Sequence, residues 1–587
     1  MYFVGIDFGH GETIASRVPG YNGTPVSQIS IRQANNNEGK KILSAICRKK
    51  GQWSLVYGEQ DFKLEDVREG FKDRISKMTE KDKESMREFA KLIFKAILEN
   101  DTDLKYDPTS EEKNFELGIA CPSDWIREDL NAQQEYLDFF RNECGLPVDH
   151  CIKESDAAFF SKYNRYEGSD NVFVIDIGSS TIDFTTYANS RCIADCCWGK
   201  NLGAHRIEDA LIPRILKAED NAINLQKLKE FRNYMKFEGD VNAPLSLHVR
   251  LQKELYFSNK QETYSLDLAF KQLTPSWPGK SWDHCIGFEA TKDKFEEIIS
   301  NYTSQIGETL RNAKTKLSQN GITPNRVLLS GGASRMPFIK EYAHKIFGVD
   351  IDVDQQPECV VSNGIALYVQ KFDEAFNKLL NNLKNVNFES IYKKADSDAT
   401  ADAIKELVPS VVSRIKNYSN CTGDRMRTMF CDFIKGLDEN NITFKNLVLS
   451  KLKSTLNSEA SKAIAEAYKS VFKLDIDARD INIDIQANIL SFSPENFQPG
   501  GAWYNCFTVW IDSSSGRYDF TWDKSRDYEE RCKIANGVMS SLTSHVSSNF
   551  ISYGNIDTIV ENIVRQVVYH TIEIFKKKQL FEMTFKQ

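Results

Sequence analysis

The chain has 587 residues and a formal net charge of −8, with 41% hydrophobic and 27% charged residues. This length exceeds what one hydrophobic core supports, so about two to four domains are expected. The acidic balance argues against a nucleic-acid binder, because such proteins neutralise phosphates with Lys and Arg. Thirteen cysteines without CxxC pairs, no signal-like start and no bilayer-length apolar run predict a cytoplasmic protein without a membrane span.

The first predicted element is a β-hairpin in the opening eighteen residues. Two runs rich in Val, Ile and Phe, residues 2–7 and 12–18, flank Gly9-His10-Gly11, and Asp7 ends the first run. Tight turns usually need a positive φ, which Gly9 and Gly11 can adopt without a Cβ clash. Such a turn can point backbone N–H groups at phosphate oxygens. A carboxylate beside that anion makes sense if Mg²⁺ lies between the two.

The next hundred residues predict further strands and a helix. Alternating stretches at 42–47 and 53–57 extend the sheet, and Glu80–Leu98 has the apolar spacing of an amphipathic helix. Phe115–Pro122 is typical of a buried strand. From the residues alone, Lys72 is interpreted as a solvated helix lysine and Glu154 as a capping or surface carboxylate.

A second stretch of the same shape, Asn171–Tyr187, places Asp176 before the turn Gly178-Ser179-Ser180-Thr181. Gly178 is predicted to have a positive φ there. Two such hairpins could hold one nucleotide from opposite sides. Farther on, residues 223–258 and 292–317 predict helices, with a small β insertion at 264–290. The cysteines at 192, 196 and 197 are interpreted as buried structural thiols, with a metal or redox site as the alternative.

A third stretch, Val327–Glu341, predicts a strand, a turn containing Gly331 and Gly332, and a helix with Pro337 in its first turn. The two glycines would let the backbone approach a flat ligand closely, and the Arg335 guanidinium could stack on a purine.

These three stretches, in this order, resemble the phosphate-1, phosphate-2 and adenosine motifs of the actin/hexokinase/heat-shock ATPase superfamily. The nearest resemblance is to the nucleotide-binding domain of the seventy-kilodalton, DnaK-like heat-shock chaperones. It implies an α/β fold with two duplicated actin-like lobes, built from ribonuclease H-like halves, that binds ATP or ADP with Mg²⁺. The resemblance extends to about residue 370.

The resemblance also implies roles for individual residues. Asp7 and Asp176 would hold the hydrated metal, and Asp176 would also serve hydrolysis. Lys72 would reach the γ-phosphate, and Glu154 would lie near the metal and the attacking water. The residues implied to contact the nucleotide are Gly9, His10, Gly11, Gly178, Ser179, Ser180, Thr181, Gly203, Ala204, Lys253, Gly331, Gly332 and Arg335.

The chain departs from the family pattern at several of these positions. His10 and Gly11 stand where the chaperones carry two hydroxyl residues. His10 is expected to be a solvent-exposed turn residue, with donation to phosphate when protonated as the alternative. Glu254 or a neighbour stands where an arginine holds the base from the other side. A switch arginine of the family falls near Leu130, with Arg127 as the closest alternative.

The implied domains are lobe I at 1–170 and lobe II at 171–370, with a helical and β subdomain at about 205–290. A mainly helical C-terminal domain with a short β-hairpin near Ser513–Gly516 would occupy 371–587. Helical spacing occurs at 372–383, 401–416, 424–435, 459–472 and 556–577, and Ile481–Ile489 alternates as a strand. The last helix is expected to pack in a core, with a membrane-surface or partner role as the alternative.

The leading hypothesis is a Mg²⁺-dependent ATPase whose lobe closure is coupled to an unknown protein partner or client bound by the C-terminal region. One alternative is a nucleotide-gated, actin-like assembly or scaffold protein, because no peptide-clamping domain is visible. Another is a degenerate nucleotide binder without hydrolysis. A sugar or acid kinase would need a pocket acid as general base, and no such motif is apparent.

Overall fold

The structure is a computed structural model. It describes residues 1–20, 25–31, 39–123, 125, 129, 131–162, 170–188, 191–236, 242–259, 261–274, 277–279, 284–416, 421–422, 442–472, 477–481, 483–485, 508–510, 517–519, 521–522 and 556–577. The chain forms two compact units, the first built from Met1–Glu374 and the second from Ala375–Leu580. Each unit is described by itself below.

A mixed sheet organises the beginning of the first unit. Its order is β3-β2-β1-β8-β9, with β4 also paired to β2, while β6-β5-β7 form a separate small sheet. Strand β1 runs antiparallel to β2 and parallel to β8, which is parallel to β9. The strands are β1 (Tyr2–Phe8), β2 (Glu12–Pro19), β3 (Ser27–Gln28), β4 (Lys41–Leu43), β5 (Ala45–Lys49), β6 (Gln52–Leu55), β7 (Glu65–Glu69), β8 (Phe115–Cys121) and β9 (His150–Lys153).

A second mixed sheet has the same strand order and the same strand directions. Its order is β12-β11-β10-β16-β17, with β13 also paired to β11. Asp7 in β1 and Asp176 in β10 are each the next-to-last residue of a central strand. The strands are β10 (Asn171–Ile177), β11 (Ile182–Ala188), β12 (Arg191–Cys192), β13 (Trp198–Lys200), β14 (Thr263–Ala269), β15 (Cys285–Thr291), β16 (Arg326–Ser330) and β17 (Asp350–Val353), of which β14 and β15 form a separate hairpin.

The helices of the first unit begin where the sequence supplies starting signals. Thr79 and Asp82 form a capping box before α2, and Pro337 begins α10, which ends at Gly348 in the left-handed region. The helices are α1 (Glu59–Phe62), α2 (Glu80–Asn100), α3 (Ala132–Asp138), α4 (Glu154–Lys162), α5 (His205–Lys217), α6 (Glu219–Tyr234), α7 (Asn242–Ser258), α8 (Phe270–Leu273), α9 (Lys292–Gln319), α10 (Pro337–Phe347) and α11 (Val360–Lys384).

Each large sheet has its own apolar core. Phe8 of β1 packs with Phe89 of α2 and with Phe140 in the first core. Phe173 and Phe184 of the second sheet lie in another core, together with residues of α9 and α10. The α/β class predicted from the sequence is confirmed, as are the predicted helices at 80–98, 292–317 and 337 onward.

Helices α4 and α11 approach each other with almost no side chain between them. A Cβ placed on Gly364 of α11 would lie 1.6 Å from the carbonyl oxygen of Ala157 in α4. Likewise, a Cβ on Gly5 of β1 would lie 2.5 Å from the Ser362 carbonyl oxygen of α11. Glycine is therefore required at both positions by close packing of backbone on backbone.

The second unit is mainly helical where the structure describes it. Its long helices are α12 (Phe388–Lys416), α13 (Ile442–Phe472) and α14 (Ile556–Lys577). Ile559, Ile563 and Val567 of α14 are buried, so this helix packs in a core, as expected. No helix within the described residues is both long and apolar enough to cross a bilayer.

Short strands complete the second unit. Strand β18 (Cys421–Thr422) pairs with β21 (Thr521–Trp522), and β19 (Thr508–Trp510) pairs with β20 (Arg517–Asp519). The latter pair confirms the predicted hairpin strands, although its turn lies outside the described residues. The helix predicted at 424–435, the switch position near Arg127 and Leu130, and most of the strand predicted at 481–489 also lie outside them. The described residues 481 and 483–485 are not in a strand.

Replacing Gly364 with Ala should destabilise the first unit. Alanine favours a helix by about 1 kcal/mol over glycine, but the clash with Ala157 should outweigh this gain and cost about 3 kcal/mol net. Thermal unfolding followed by circular dichroism measures the effect. Gly287→Ala is the matched control, because its Cβ would meet nothing closer than 4.0 Å. Equal melting temperatures for the two variants would contradict the packing argument.

Candidate functional site

A cavity of about 660 Å³ lies in the first unit between the two hairpin loops. Both predicted phosphate loops and the third glycine loop line it, so the structure brings together residues that lie more than 300 positions apart. The predicted residues in its wall are Asp7, Gly9, His10, Gly11, Lys72, Glu154, Asp176, Gly178, Ser179, Ser180, Thr181, Ala204, Lys253, Gly331, Gly332 and Arg335.

Asp7 and Asp176 enter the cavity from the ends of β1 and β10. Burial raises the pKa of Asp7 well above its usual range, with Glu154 and Asp176 adding to the shift and Lys72 opposing it. Burial, followed by Glu154, raises the pKa of Asp176 to about 7, although its Oδ1 accepts a hydrogen bond from Ser330 Oγ at 2.5 Å. The positive charge near the two carboxyl groups thus does not offset the effect of burial on their pKa values.

Lys72 is the cation nearest to this acidic cluster. Its Nζ donates to Glu154 Oε1 at 2.8 Å, and both side chains are buried. Burial lowers the pKa of Lys72, but Glu154 and Asp7 together raise it above its usual value. Lys72 lies in the segment after β7 and not on a helix, so the interpretation as a solvated helix lysine is wrong. Glu154 begins α4 but is buried, so it is not a surface carboxylate either.

The donor set fits a hard divalent cation. Carboxylate oxygens are the protein ligands that Mg²⁺ prefers, and Mg²⁺ usually keeps several waters. Within the described residues, no group of three or more His, Cys, Asp or Glu side chains is close enough to hold a metal ion. A cation between Asp7 and Asp176 would therefore take most of its ligands from water and phosphate.

The glycines of the two loops serve a different purpose from the one predicted. None of Gly9, Gly11 and Gly178 has φ in the left-handed region, so the prediction of positive φ is wrong. A Cβ on Gly9 would lie 2.3 Å from the Glu12 carbonyl oxygen, and one on Gly11 would lie 2.5 Å from the Arg250 guanidinium. Close approach of the backbone, and not φ, therefore requires glycine at Gly9, whereas the group beside Gly11 is the flexible end of the Arg250 side chain.

Gly203 lies behind the cavity wall, whereas Ala204 lines it. The Gly203 N–H donates to the Ser180 carbonyl oxygen at 2.8 Å, and a Cβ on Gly203 would lie 2.2 Å from the Ser179 carbonyl oxygen. Gly203 therefore supports the second loop, and its contact with a ligand stays a prediction.

Two histidines face each other across the cavity. The His10 and His205 ring centroids are 5.6 Å apart, and His205 Nδ1 contacts the Ser179 carbonyl oxygen at 2.7 Å. Burial, followed by His205, Arg250 and Lys72, lowers the pKa of His10 to about 3. His10 is partly buried, so the expectation of a solvent-exposed turn residue is wrong, whereas donation from its protonated form to a phosphate stays a prediction.

Arg250 of α7 is a cavity residue that sequence reasoning missed. Its Nη1 donates to the Gly11 carbonyl oxygen at 2.6 Å, and its Nε donates to Glu254 Oε1 at 2.9 Å. Helical spacing gives no sign that this side chain reaches the first loop, 239 positions away. Trp125 and His205 were missed for the same reason.

The residues predicted for the nucleoside also line the cavity. Gly331 has φ +80°, and a Cβ there would lie 2.3 Å from the Ile177 carbonyl oxygen. Arg335 forms a two-pronged pair with Glu358, at 2.9 and 3.1 Å to Oε2. Lys253 Nζ donates to Glu208 Oε1 at 2.7 Å. Phe257 and Met336 add apolar surface to the cavity wall.

Comparisons with known proteins agree with this arrangement. Residues 257–379, which include the Gly331–Arg335 loop, match the family model described as Hsp70 protein. The chain is accordingly related to the Hsp70 proteins of the actin/hexokinase/Hsp70 ATPase superfamily.

Individual proteins similar to the chain include two DnaK chaperone proteins. The chain is 26% identical over 245 residues to the chaperone protein DnaK of Thermus thermophilus, covering 40% of this chain and 37% of the relative. It is 26% identical over 235 residues to the chaperone protein DnaK of Mycoplasma mycoides, covering 38% of this chain and 36% of the relative. The chain thus spans little more than a third of the length of these relatives.

Replacing Asp176 with Asn should stabilise the ligand-free protein at pH 8. The folded-state pKa of about 7 exceeds the unfolded value of about 3.9, so the folded protein holds a proton that the unfolded chain has lost. The contribution of Asp176 to stability therefore falls as the pH rises from about 4 to about 7. Asparagine removes this penalty.

Thermal unfolding at several pH values without nucleotide or metal tests this expectation. The variant should melt above the wild type at pH 8 and close to it at about pH 4. A lower melting temperature for the variant at pH 8 would show that the Asp176 carboxylate is not destabilising in the folded protein.

Proposed function

We propose that this protein is a Mg²⁺-dependent ATPase that resembles the nucleotide-binding domains of heat-shock chaperones. One observation supports the proposal above all. The loops at Gly9–Gly11, Gly178–Thr181 and Gly331–Arg335 line one cavity together with buried acidic groups and Lys72. We also propose that 1–170 and 171–370 are two duplicated lobes, since their large sheets share one order of strands.

The proposed ligand fits the charge of the cavity. The phosphate tail of ATP or ADP would lie between the two hairpin loops, where backbone N–H groups can bind its oxygens. The base would lie toward Arg335, Phe257 and Met336, which combine a planar cation with apolar surface. Glu254 stands where the family has a second arginine, but it is paired with Arg250. The second face of the base would therefore be held by other groups, of which Phe257 is the nearest apolar candidate.

Asp7 and Asp176 would hold the hydrated Mg²⁺, which, when bound, would withdraw charge from the phosphate oxygens. Lys72 would add positive charge where the transferred phosphoryl group becomes more negative. Glu154, which accepts from Lys72, keeps the lysine directed into the cavity. It would also accept a hydrogen bond from the attacking water and so orient it.

A nucleotide binder without hydrolysis is the second candidate function. The first loop favours it, because Gly9-His10-Gly11 contains no hydroxyl side chain to face the γ-phosphate. His10, whose pKa is lowered to about 3, is neutral and adds no positive charge to this loop.

The output of the nucleotide cycle is proposed to be a protein partner or client bound by the second unit. Hinge closure of two lobes around a nucleotide is a common means of coupling binding to a distant region. A cytoplasmic location is part of the same proposal, in accordance with the free thiols of Cys47, Cys121, Cys144, Cys151, Cys192, Cys196, Cys197, Cys285 and Cys359.

Asp176→Asn should reduce ATP turnover by roughly 100-fold, because it removes one charge that holds the hydrated cation. Phosphate release with ATP and Mg²⁺ measures turnover, and calorimetry with and without Mg²⁺ measures nucleotide affinity. Asp220→Asn is the matched control, because this carboxylate is exposed on α6 and should leave turnover unchanged.

Several outcomes separate the candidate functions. Unchanged turnover in Asp176→Asn would contradict the assigned site. Binding of ATP by the wild type without phosphate release would favour the non-hydrolysing candidate. ATP-dependent light scattering would support the assembly alternative, whereas suppression of aggregation of an unfolded client would support chaperoning.

A further inference from the structure

The side chains of Cys192 and Cys197 face each other at the edge of the second sheet. Their Sγ atoms are 3.3 Å apart, and both residues are only partly buried. The expectation of buried structural thiols therefore holds for Cys196, which lies in the core, but not for these two.

The fold holds the two cysteines together. Cys192 belongs to β12 and pairs with Tyr187 of β11, while Trp198 of β13 pairs with Phe184 of the same strand. The 3₁₀ turn Ala194–Cys196 connects β12 to β13. Because β12 and β13 both pair with β11, Cys192 in β12 and Cys197 just before β13 lie close together.

The two thiols differ in acidity in a way that suits exchange chemistry. Hydrogen bonds from the Cys192 thiol and the Thr186 backbone N–H lower the pKa of Cys197, although burial opposes them. The hydrogen bond to Cys197, followed by burial, raises the pKa of the Cys192 thiol. In its thiol form Cys197 donates instead to the Ile193 carbonyl oxygen at 3.2 Å. Cys197 is therefore the better nucleophile, and Cys192 keeps its proton.

We propose that Cys192 and Cys197 form a redox modification site, at which a peroxide oxidises the pair to an intramolecular disulfide. The Cys197 thiolate attacks one oxygen of hydrogen peroxide, the O–O bond breaks, and the hydroxide released takes up a proton to become water. Cys197 is then a sulfenic acid. The Cys192 sulfur attacks the Cys197 sulfur, the S–O bond breaks, and a second water leaves with the Cys192 proton. Two thiols are oxidised, and one peroxide is reduced to two waters.

The geometry requires only a small movement. A disulfide has an S–S distance of about 2.05 Å, so the two sulfurs must approach by roughly 1.3 Å from their present separation of 3.3 Å.

A second pair of neighbouring thiols shows why exposure matters. The side chains of Cys121 and Cys151 are also hydrogen-bonded to each other, but both residues are at most 1% exposed. That hydrogen bond and burial raise the pKa of Cys121 well above its usual range. An oxidant in solution should therefore reach Cys192 and Cys197 and leave Cys121 and Cys151 reduced.

The full-length reduced protein, treated with increasing hydrogen peroxide and then alkylated under denaturing conditions, tests the proposal. Trypsin should release residues 192–200 as one peptide, because Arg191 and Lys200 bound it. After oxidation this peptide should carry one alkyl group, on Cys196, and should be two hydrogen atoms lighter than the reduced peptide with that single alkyl group. Reduction with dithiothreitol before alkylation should give the peptide with all three cysteines alkylated. Cys285 is a partly buried reference thiol whose pKa burial raises. It should oxidise at least about 10-fold more slowly.

Variants separate the two steps. Cys192→Ser should accumulate a sulfenic acid at Cys197 that dimedone labels, Cys197→Ser should abolish the disulfide, and the matched control Cys285→Ser should behave like the wild type. Oxidation of Cys192 and Cys197 no faster than Cys285, or a disulfide that includes Cys196, would overturn the proposal. Neither result depends on nucleotide binding.

Discussion

Three buried carboxyl groups lie close to the Lys72 ammonium group in the cavity, and the rest of the site follows from this cluster. Full ionisation of Asp7, Asp176, Glu154 and Lys72 would leave these four groups with two more negative than positive charges. Burial of unpaired charge is costly. In the ligand-free protein, protons relieve part of this cost, as the raised pKa values of both aspartates indicate. A hydrated divalent cation would relieve this cost without a proton, in accordance with the proposed metal–phosphate ligand.

The surrounding fold makes this arrangement possible by placing two of the three acids, Asp7 and Asp176, at the ends of central strands. Because β1 and β10 have equivalent neighbours in their two sheets, Asp7 and Asp176 occupy equivalent positions. Close backbone packing of α11 on β1 and α4 brings the third acid near, since Glu154 begins α4. Arg250 then ties α7 to the first loop through the Gly11 carbonyl oxygen. The positions of the charges thus depend on contacts far from the cavity itself.

The sequence alone was sufficient for the strands, the positions of the turns and sixteen of the residues that line the cavity, because alternation and glycine placement are local signals. It was insufficient where a requirement comes from a distant partner. Gly9 was predicted as a glycine of positive φ, whereas the close approach of the Glu12 carbonyl oxygen explains it, and the Arg250 guanidinium beside Gly11 comes from a distant helix. The burial of His10 and the reach of Arg250 depend on elements that approach only in the folded chain. Gly203 contacts the second loop but is not among the residues that line the cavity. The sequence does not show on which side of the loop a neighbouring residue lies.

One neighbour of Lys72 has a practical consequence. Trp125 lines the cavity, is 9% exposed, and has the lysine Nζ at 5.8 Å from its ring centre. Indole emission responds to nearby charge and to access of water, and both would change here when an anion draws the ammonium group away. The chain therefore carries an intrinsic optical reporter at the place where ligands are expected, and occupancy of the cavity can be followed in solution without attaching a dye.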